Sequence, residues 1–197
     1  MAESADERYR YFIDFFFGEM AAPFVNLKES LPILDWYLTA LKNHEISSLP
    51  GSSGITKSET ARRLVKIVLE NIQLYEALEH KFRYEVNTLD EATPADLMAD
   101  VSSEETYREF VSSFFHEVAA PFTNIYGYMQ LLETYLAALK QQASSTMALE
   151  FEHSSYISIT PETAHHMVRS LLRDMGRYYE VQRKLQNERS ESDDEIQ

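Results

Sequence analysis

Residues 9 to 42 recur at 107 to 140: a shift of 98 positions aligns the two segments with 17 of 34 residues identical. The matched positions include Tyr9/Tyr107, Phe12/Phe110, Phe16/Phe114, Glu19/Glu117, Ala21/Ala119, Ala22/Ala120, Pro23/Pro121, Asn26/Asn124, Leu34/Leu132 and Leu41/Leu139. After an insertion of five residues the similarity resumes at an offset of 103, where Glu59-Thr60-Ala61 matches Glu162-Thr163-Ala164 and Val65, Leu69 and Tyr75 match Val168, Leu172 and Tyr178. A duplicated chain of 197 residues must fold so that two copies of one pattern are satisfied together.

The pattern itself is helical. In the first copy Phe12, Phe16, Met20, Phe24, Leu27, Leu31, Leu34, Leu38 and Leu41 recur every three or four residues, and in the second Phe110, Phe114, Val118, Phe122, Ile125, Met129, Leu132, Leu136 and Leu139 do the same. A second helix follows in each, with Leu64, Val68, Tyr75, Leu78 and Phe82, and with Met167, Leu171, Tyr178, Val181 and Leu185. SSLPGSSG at 47 to 54 and the Ser-rich stretch from Ser144 to Thr160 read as the intervening loops. Helix starts are marked by the capping pairs Ser4/Glu7 and Ser102/Glu105, and by Thr160-Pro161, an N-cap followed by proline in the first turn.

One helical hairpin has a single apolar stripe per helix and nothing to close it. Two hairpins can close each other, so the expected fold is all-α: two tandem helical hairpins forming an intramolecular, pseudo-dimeric four-helix bundle. The first hairpin would span 1–87, a linker 88–103, the second hairpin 104–189, and the acidic stretch SESDDEIQ at 190–197 would be a disordered tail.

Composition narrows the functional classes. With no cysteine, disulfides, thiolate metal sites and cysteine nucleophiles are excluded, which fits a cytoplasmic protein. The net charge of −14 is shared equally by the two halves, so no basic face stands ready for phosphates and nucleic acid is not an expected partner. No apolar run reaches the ~18 residues of a membrane span. An acidic surface favours protein partners with basic patches.

The two copies differ where chemistry is concerned. FFHEVAAPF at 114 to 122 faces FFGEMAAPF at 16 to 24, so Gly18 stands where the second copy has His116. His116 lies two residues from Phe114 and two from Val118, which at ~100° per residue turns it about 200° from both core positions and toward solvent. The alternative is an ordinary surface polar residue. Pro121 removes the amide that would bond the Glu117 carbonyl, and Pro23 does the same in the first copy, so both are expected to kink their helices. A bend around the core would account for the prolines but not for the histidine.

His116-Glu117-Val118-Ala119-Ala120-Pro121-Phe122, followed by Ile125, Gly127 and Tyr128, resembles the H-box of sensor histidine kinases. Their dimerisation and histidine-phosphotransfer domain is a helical hairpin that dimerises into a four-helix bundle, so the resemblance extends to both repeats. It implies that His116 accepts a phosphoryl group, that Glu117 is its acid/base partner, and that the partner protein is a response-regulator receiver domain or a sensor kinase. An exposed imidazole is a competent nucleophile near neutral pH. Adjacent residues on a helix do not face each other, so spacing alone would not give Glu117 that role.

The departures from that family are specific. Ala119 and Ala120 stand where it carries Arg-Thr or Arg-Asn, which removes the polar residue associated with phosphatase activity. Gly18 leaves one of two equivalent sites without a nucleophile. The ATP-binding domain, with its Asn-box and glycine-rich boxes, has no counterpart in a chain with 5 glycines, so self-phosphorylation by the family's mechanism is not expected.

Other constellations are weaker. HEVAA is not HExxH, because Ala120 occupies the second ligand position. His165 and His166 are adjacent and diverge by ~100°, whereas a metal needs convergent ligands. GxxxxGK[ST], GxSxG and GxGxxG do not occur, so no cofactor and no metal are expected. Three functional readings remain: a phosphotransferase-like phosphorelay protein, monomeric and without autokinase activity; a non-catalytic, degenerate kinase bundle that regulates a partner by binding it; or a purely structural helical adaptor unrelated to two-component signalling.

Overall fold

The computed structural model of the protein describes residues 5–48, 57–89, 103–143 and 159–194. All of these are helical except Ile159, Thr160 and Gly176. The elements are α1 (Ala5–Ser48), α2 (Lys57–Leu89), α3 (Ser103–Ala143), α4 (Pro161–Met175) and α5 (Arg177–Asp194). Ser4 and Ser102 of the two capping pairs, most of both loops and most of the 88–103 linker lie outside the described residues. No described helix is long and apolar enough to cross a membrane.

Where the start of a helix is described, the local chemistry is as read. Thr160 sits in extended backbone, its side chain accepts from the Thr163 amide, and Pro161 occupies the first turn of α4. Two expectations shift. The final helix continues through Asp194, into the segment expected to be a disordered tail, because extending a helix already nucleated and packed is far cheaper than starting one. The second-helix core also rotates slightly: Ala61, Val65, Ile72 and Val86 are buried with Val68, Tyr75 and Phe82, whereas Leu64 and Leu78 are only half-buried.

The residues gather into two compact units that do not follow the repeat boundary. Each unit draws on both repeats, as expected if a single hairpin cannot bury its own stripe. The first contains α1 up to Ala22, α2 from Gln73, α3 up to Thr123, and α5. The second contains α1 from Pro23, α2 up to Ile72, α3 from Asn124, and α4. The cut in α1 falls at Pro23 and that in α3 two residues after Pro121, where each ladder of helix hydrogen bonds lacks an amide. Both helices continue past their prolines, and α1 contains another, Pro32, which has Gln130 at the matching position.

The first unit has an aromatic core in which residues meet their own repeat counterparts. The ring centroids of Tyr9 and Tyr107 are 5.5 Å apart, those of Phe12 and Phe110 6.0 Å, and those of Phe16 and Phe114 4.7 Å. Such self-pairing is the mark of a two-fold relation between matching surfaces. It runs α1 and α3 parallel here, while contacts such as Asp14 with Arg83 and Phe17 with Tyr75 run α1 antiparallel to α2. Phe122 stacks on Tyr178 at 3.9 Å and meets Tyr75 edge-on at 5.4 Å. Edge and offset ring geometries of this kind add to the burial term.

The second unit repeats the relation with polar groups. Asn26 donates to Asp174 at 3.0 Å and, at matching positions, Asn124 donates to Asn71 at 3.0 Å. Lys42 pairs with Glu59 as Lys140 pairs with Glu162, and Asp35 accepts from Arg62 as Glu133 meets His165. Buried Asn71 also donates to the Ile67 carbonyl at 2.8 Å, so its amide is satisfied on both sides.

Candidate functional site

The face carrying His116 belongs to the first unit, and α3 positions it. Val111, Phe114, Phe115, Val118 and Phe122 are buried, which leaves Ser112, Ser113, His116 and Ala120 exposed on the opposite side. His116 is exposed, as the spacing requires, and among the described residues it has no hydrogen-bond partner. The small side chains one turn away on either side leave the imidazole approachable.

Glu117 is occupied. Lys81 of α2 donates to both of its carboxylate oxygens, at 2.8 and 2.6 Å. The hydrogen bond to Glu117 raises the Lys81 ammonium pKa, with burial opposing it slightly, so the lysine keeps its charge. For Glu117 to serve as the acid/base partner that the kinase resemblance implies, this ammonium must yield one of the two oxygens.

The matching face shows what Glu117 does apart from any histidine. Gly18 is exposed, and a Cβ added there would meet no atom within 4 Å, so packing does not require glycine at that position. Glu19 next to it is nonetheless held by Arg177 of α5 at 2.6 Å, and Arg177 also reaches Glu180 at 2.8 Å. Hydrogen bonds to these two glutamates raise the Arg177 pKa. The acidic residue therefore joins helices from different repeats whether or not a histidine precedes it. Exposed pairs of this type contribute roughly 0–1 kcal/mol each.

Pro23 and Pro121 are both buried within their helices. His165 and His166 diverge as their adjacency requires: the His165 Nε2 lies 2.8 Å from Glu133, while His166 is exposed. Sequence reasoning missed Lys81 and Arg177, because a cation on an exposed helix face looks the same whether it is solvated or bonded to a neighbouring helix. It also passed over Leu74 and Tyr84, which fall off the apolar stripe of α2 and are 57% and 70% exposed. Their signal was available: large apolar residues outside a helix's own core spacing.

Comparison of the chain with protein-family models, curated proteins and solved structures finds no match.

Proposed function

We propose that this is a cytoplasmic, monomeric phosphotransfer protein in which His116 accepts a phosphoryl group from the aspartyl phosphate of a response-regulator receiver domain and returns it to another. The observation that supports this is the exposed imidazole of His116, without a hydrogen-bond partner among the described residues and set among small side chains on a helical face. In the forward step an imidazole nitrogen attacks phosphorus, the bond from phosphorus to the aspartate oxygen breaks, and the aspartate leaves as a carboxylate. The ring loses its N–H proton to solvent. Lys81, already beside the site on Glu117, would supply a positive charge near the incoming phosphoryl oxygens.

A second reading is favoured by the Glu19–Arg177 pair. Because that pair persists beside Gly18, the Glu-Pro frame is accounted for by helix joining alone, and a bundle that regulates a receiver or kinase by occupancy would need no phosphohistidine. The two separate in one experiment. Wild-type protein and His116→Ala are incubated with a panel of phosphorylated receiver domains from the source organism, and acid-labile, base-stable phosphate is scored. Label on wild type alone is the expected result. Binding of a receiver without label on either protein would establish the occupancy reading instead.

A further inference from the structure

We propose that Ser112 is the positioning residue for His116: its hydroxyl oxygen accepts from the ring Nδ1–H, which fixes the tautomer and leaves Nε2 as the nucleophile. The role in transfer rests on the phosphotransfer reading; the hydrogen bond does not.

An exposed imidazole without a partner samples both tautomers and several ring positions, and only a ring with its lone pair aimed at phosphorus reacts. The kinase resemblance would give the orienting role to Glu117. That residue is turned ~100° from His116 around α3, and Lys81 holds both of its carboxylate oxygens, at 2.8 and 2.6 Å. On α3 another acceptor has to come from the turn before or the turn after His116. Ser112 and Ser113 lie on one side and Ala119 and Ala120 on the other, so the side-chain oxygens there are the two serine hydroxyls.

Helix geometry chooses between them. Side chains on a helix lean toward its N-terminus, so the imidazole lies over the turn that carries the serines. Positions four apart are offset by about 40° around the axis, with Cβ atoms roughly 5–6 Å apart, against an offset of about 60° for positions three apart. Ser112, four residues before His116, is therefore the better placed. Both serines are exposed, and neither hydroxyl is engaged by another group among the described residues. A hydroxyl on a helix can donate to the carbonyl one turn back, as Thr39 donates to the Asp35 carbonyl at 2.7 Å and Thr134 to that of Gln130 at 3.0 Å. Its oxygen is then left to accept from the ring.

The copy without a histidine uses the same two positions otherwise. Asp14 and Phe15 stand at the places of Ser112 and Ser113. Asp14 accepts from Arg83 of α2 at 2.6 Å, and Phe15 stacks on Tyr11 at 6.0 Å. The paired serines occur beside the histidine, and there they leave its ring uncovered.

In the transfer step the Nε2 lone pair attacks phosphorus, and the bond from phosphorus to the donor's leaving atom breaks with its electron pair going to that atom. The ring is then cationic, and its Nδ1 proton passes to solvent beside the Ser112 hydroxyl.

The test uses the full chain with isotope-labelled histidine, and the His116 ring signals are assigned in nuclear magnetic resonance spectra by their loss in His116→Ala. At about pH 8, where an imidazole is ordinarily neutral, the wild-type ring should be the Nδ1–H tautomer. Ser112→Ala should shift it toward Nε2–H and slow the labelling of His116 by phosphoramidate about tenfold, the worth of one hydrogen bond, with the helical circular dichroism unchanged. Ser112→Thr should restore both, and Ser113→Ala should leave the tautomer as it is. A wild-type ring in the Nε2–H form, a Ser112→Ala protein that keeps either the tautomer or the labelling rate of wild type, failure of Ser112→Thr to restore them, or an equal effect of Ser113→Ala overturns the proposal. If Ser112 sets the tautomer and the phosphoramidate rate but receivers never label His116, the transfer reading fails and the orienting bond stands; if receivers label wild type and Ser112→Ala equally, the transfer reading stands and the orienting role falls.

Discussion

The His116 and Gly18 faces of the first unit share a backbone pattern, a proline and an ion-paired glutamate, yet divide their apolar surface differently. On the His116 side the exposed apolar residues lie on α2, as Leu74 and Tyr84, and α3 presents small side chains. On the Gly18 side they lie on α1, where exposed Tyr11 stacks on Phe15 at 6.0 Å, and α5 presents charge. The cation bonds follow from this division. Lys81 and Lys184 are repeat equivalents, but Phe15 stands where the second copy has Ser113, so Lys184 covers a ring on the facing helix at 4.3 Å, whereas Lys81 lies 5.1 Å from the ring of Phe82 on its own helix and bonds to Glu117. Glu19 is then taken by Arg177, whose own equivalent is Leu74. One exchange on the first helix and one on the second convert a symmetric arrangement into two faces of different character.

The largest effect that bears on this comparison lies beneath it. Phe16 and Phe114 are both fully buried, two residues before Gly18 and His116 respectively. Phe16→Ala and Phe114→Ala should each cost about 3–5 kcal/mol in chemical denaturation. The double variant should cost less than the sum, because the rings touch. Single-variant costs that differ by more than about 2 kcal/mol, or strict additivity, would mean that the two faces rest on separate cores.

Next in size is an alkaline transition in which the two repeats should behave alike. Burial pushes the Tyr178 phenol from its ordinary 10.0 up to about 12, and raises its equivalent Tyr75 as well, with Glu79 adding to the latter. Each is protonated in the folded state, so its contribution is complete below the unfolded pKa near 10 and is lost as pH rises toward the folded value. Phenolate absorbance from these two residues should appear together with loss of helical circular dichroism above about pH 10. Tyrosinate formation well ahead of unfolding would contradict their burial.

The smallest effect sharpens the comparison most. Gly18→His enters open space at an exposed helical position, so stability should rise by a few tenths of a kcal/mol, the difference in helix propensity. In a His116→Ala background, phosphoramidate should label the new imidazole while receiver domains should not, if transfer requires side chains found only on the His116 face. Receiver-dependent labelling there would show that the faces differ only in their nucleophile.

Much of this was legible because the chain states its pattern twice. The offsets of 98 and 103 pair Asn26 with Asn124 and Asn71 with Asp174, and the hydrogen bonds observed obey those offsets. The exposure of His116 followed from its angle to Phe114 and Val118. What could not be read is the height at which one repeat's helix meets the other's. Lys81 finds Glu117 and Arg177 finds Glu19, pairs that break the offset, since Lys184 rather than Arg177 is the equivalent of Lys81. A long flexible cation has several acceptors in reach, and the choice depends on competing neighbours such as Phe15. The exposed placement of Leu74 likewise needs the core rotation set by Val65, Ile72 and Val86 rather than by Leu64 and Leu78.

The rings that meet their own counterparts, Tyr9 with Tyr107 and Phe16 with Phe114, have a further consequence for how such a protein can change. In an assembly of two identical chains, every substitution is made on both sides at once, and a change that helps one side must be tolerated by the other. Here each partner of a contact is written separately in the gene. One side can give up its reactive group, or gain a binding residue, while its neighbour holds the shared core. Covalent duplication thus frees selection to act on half of an interface at a time.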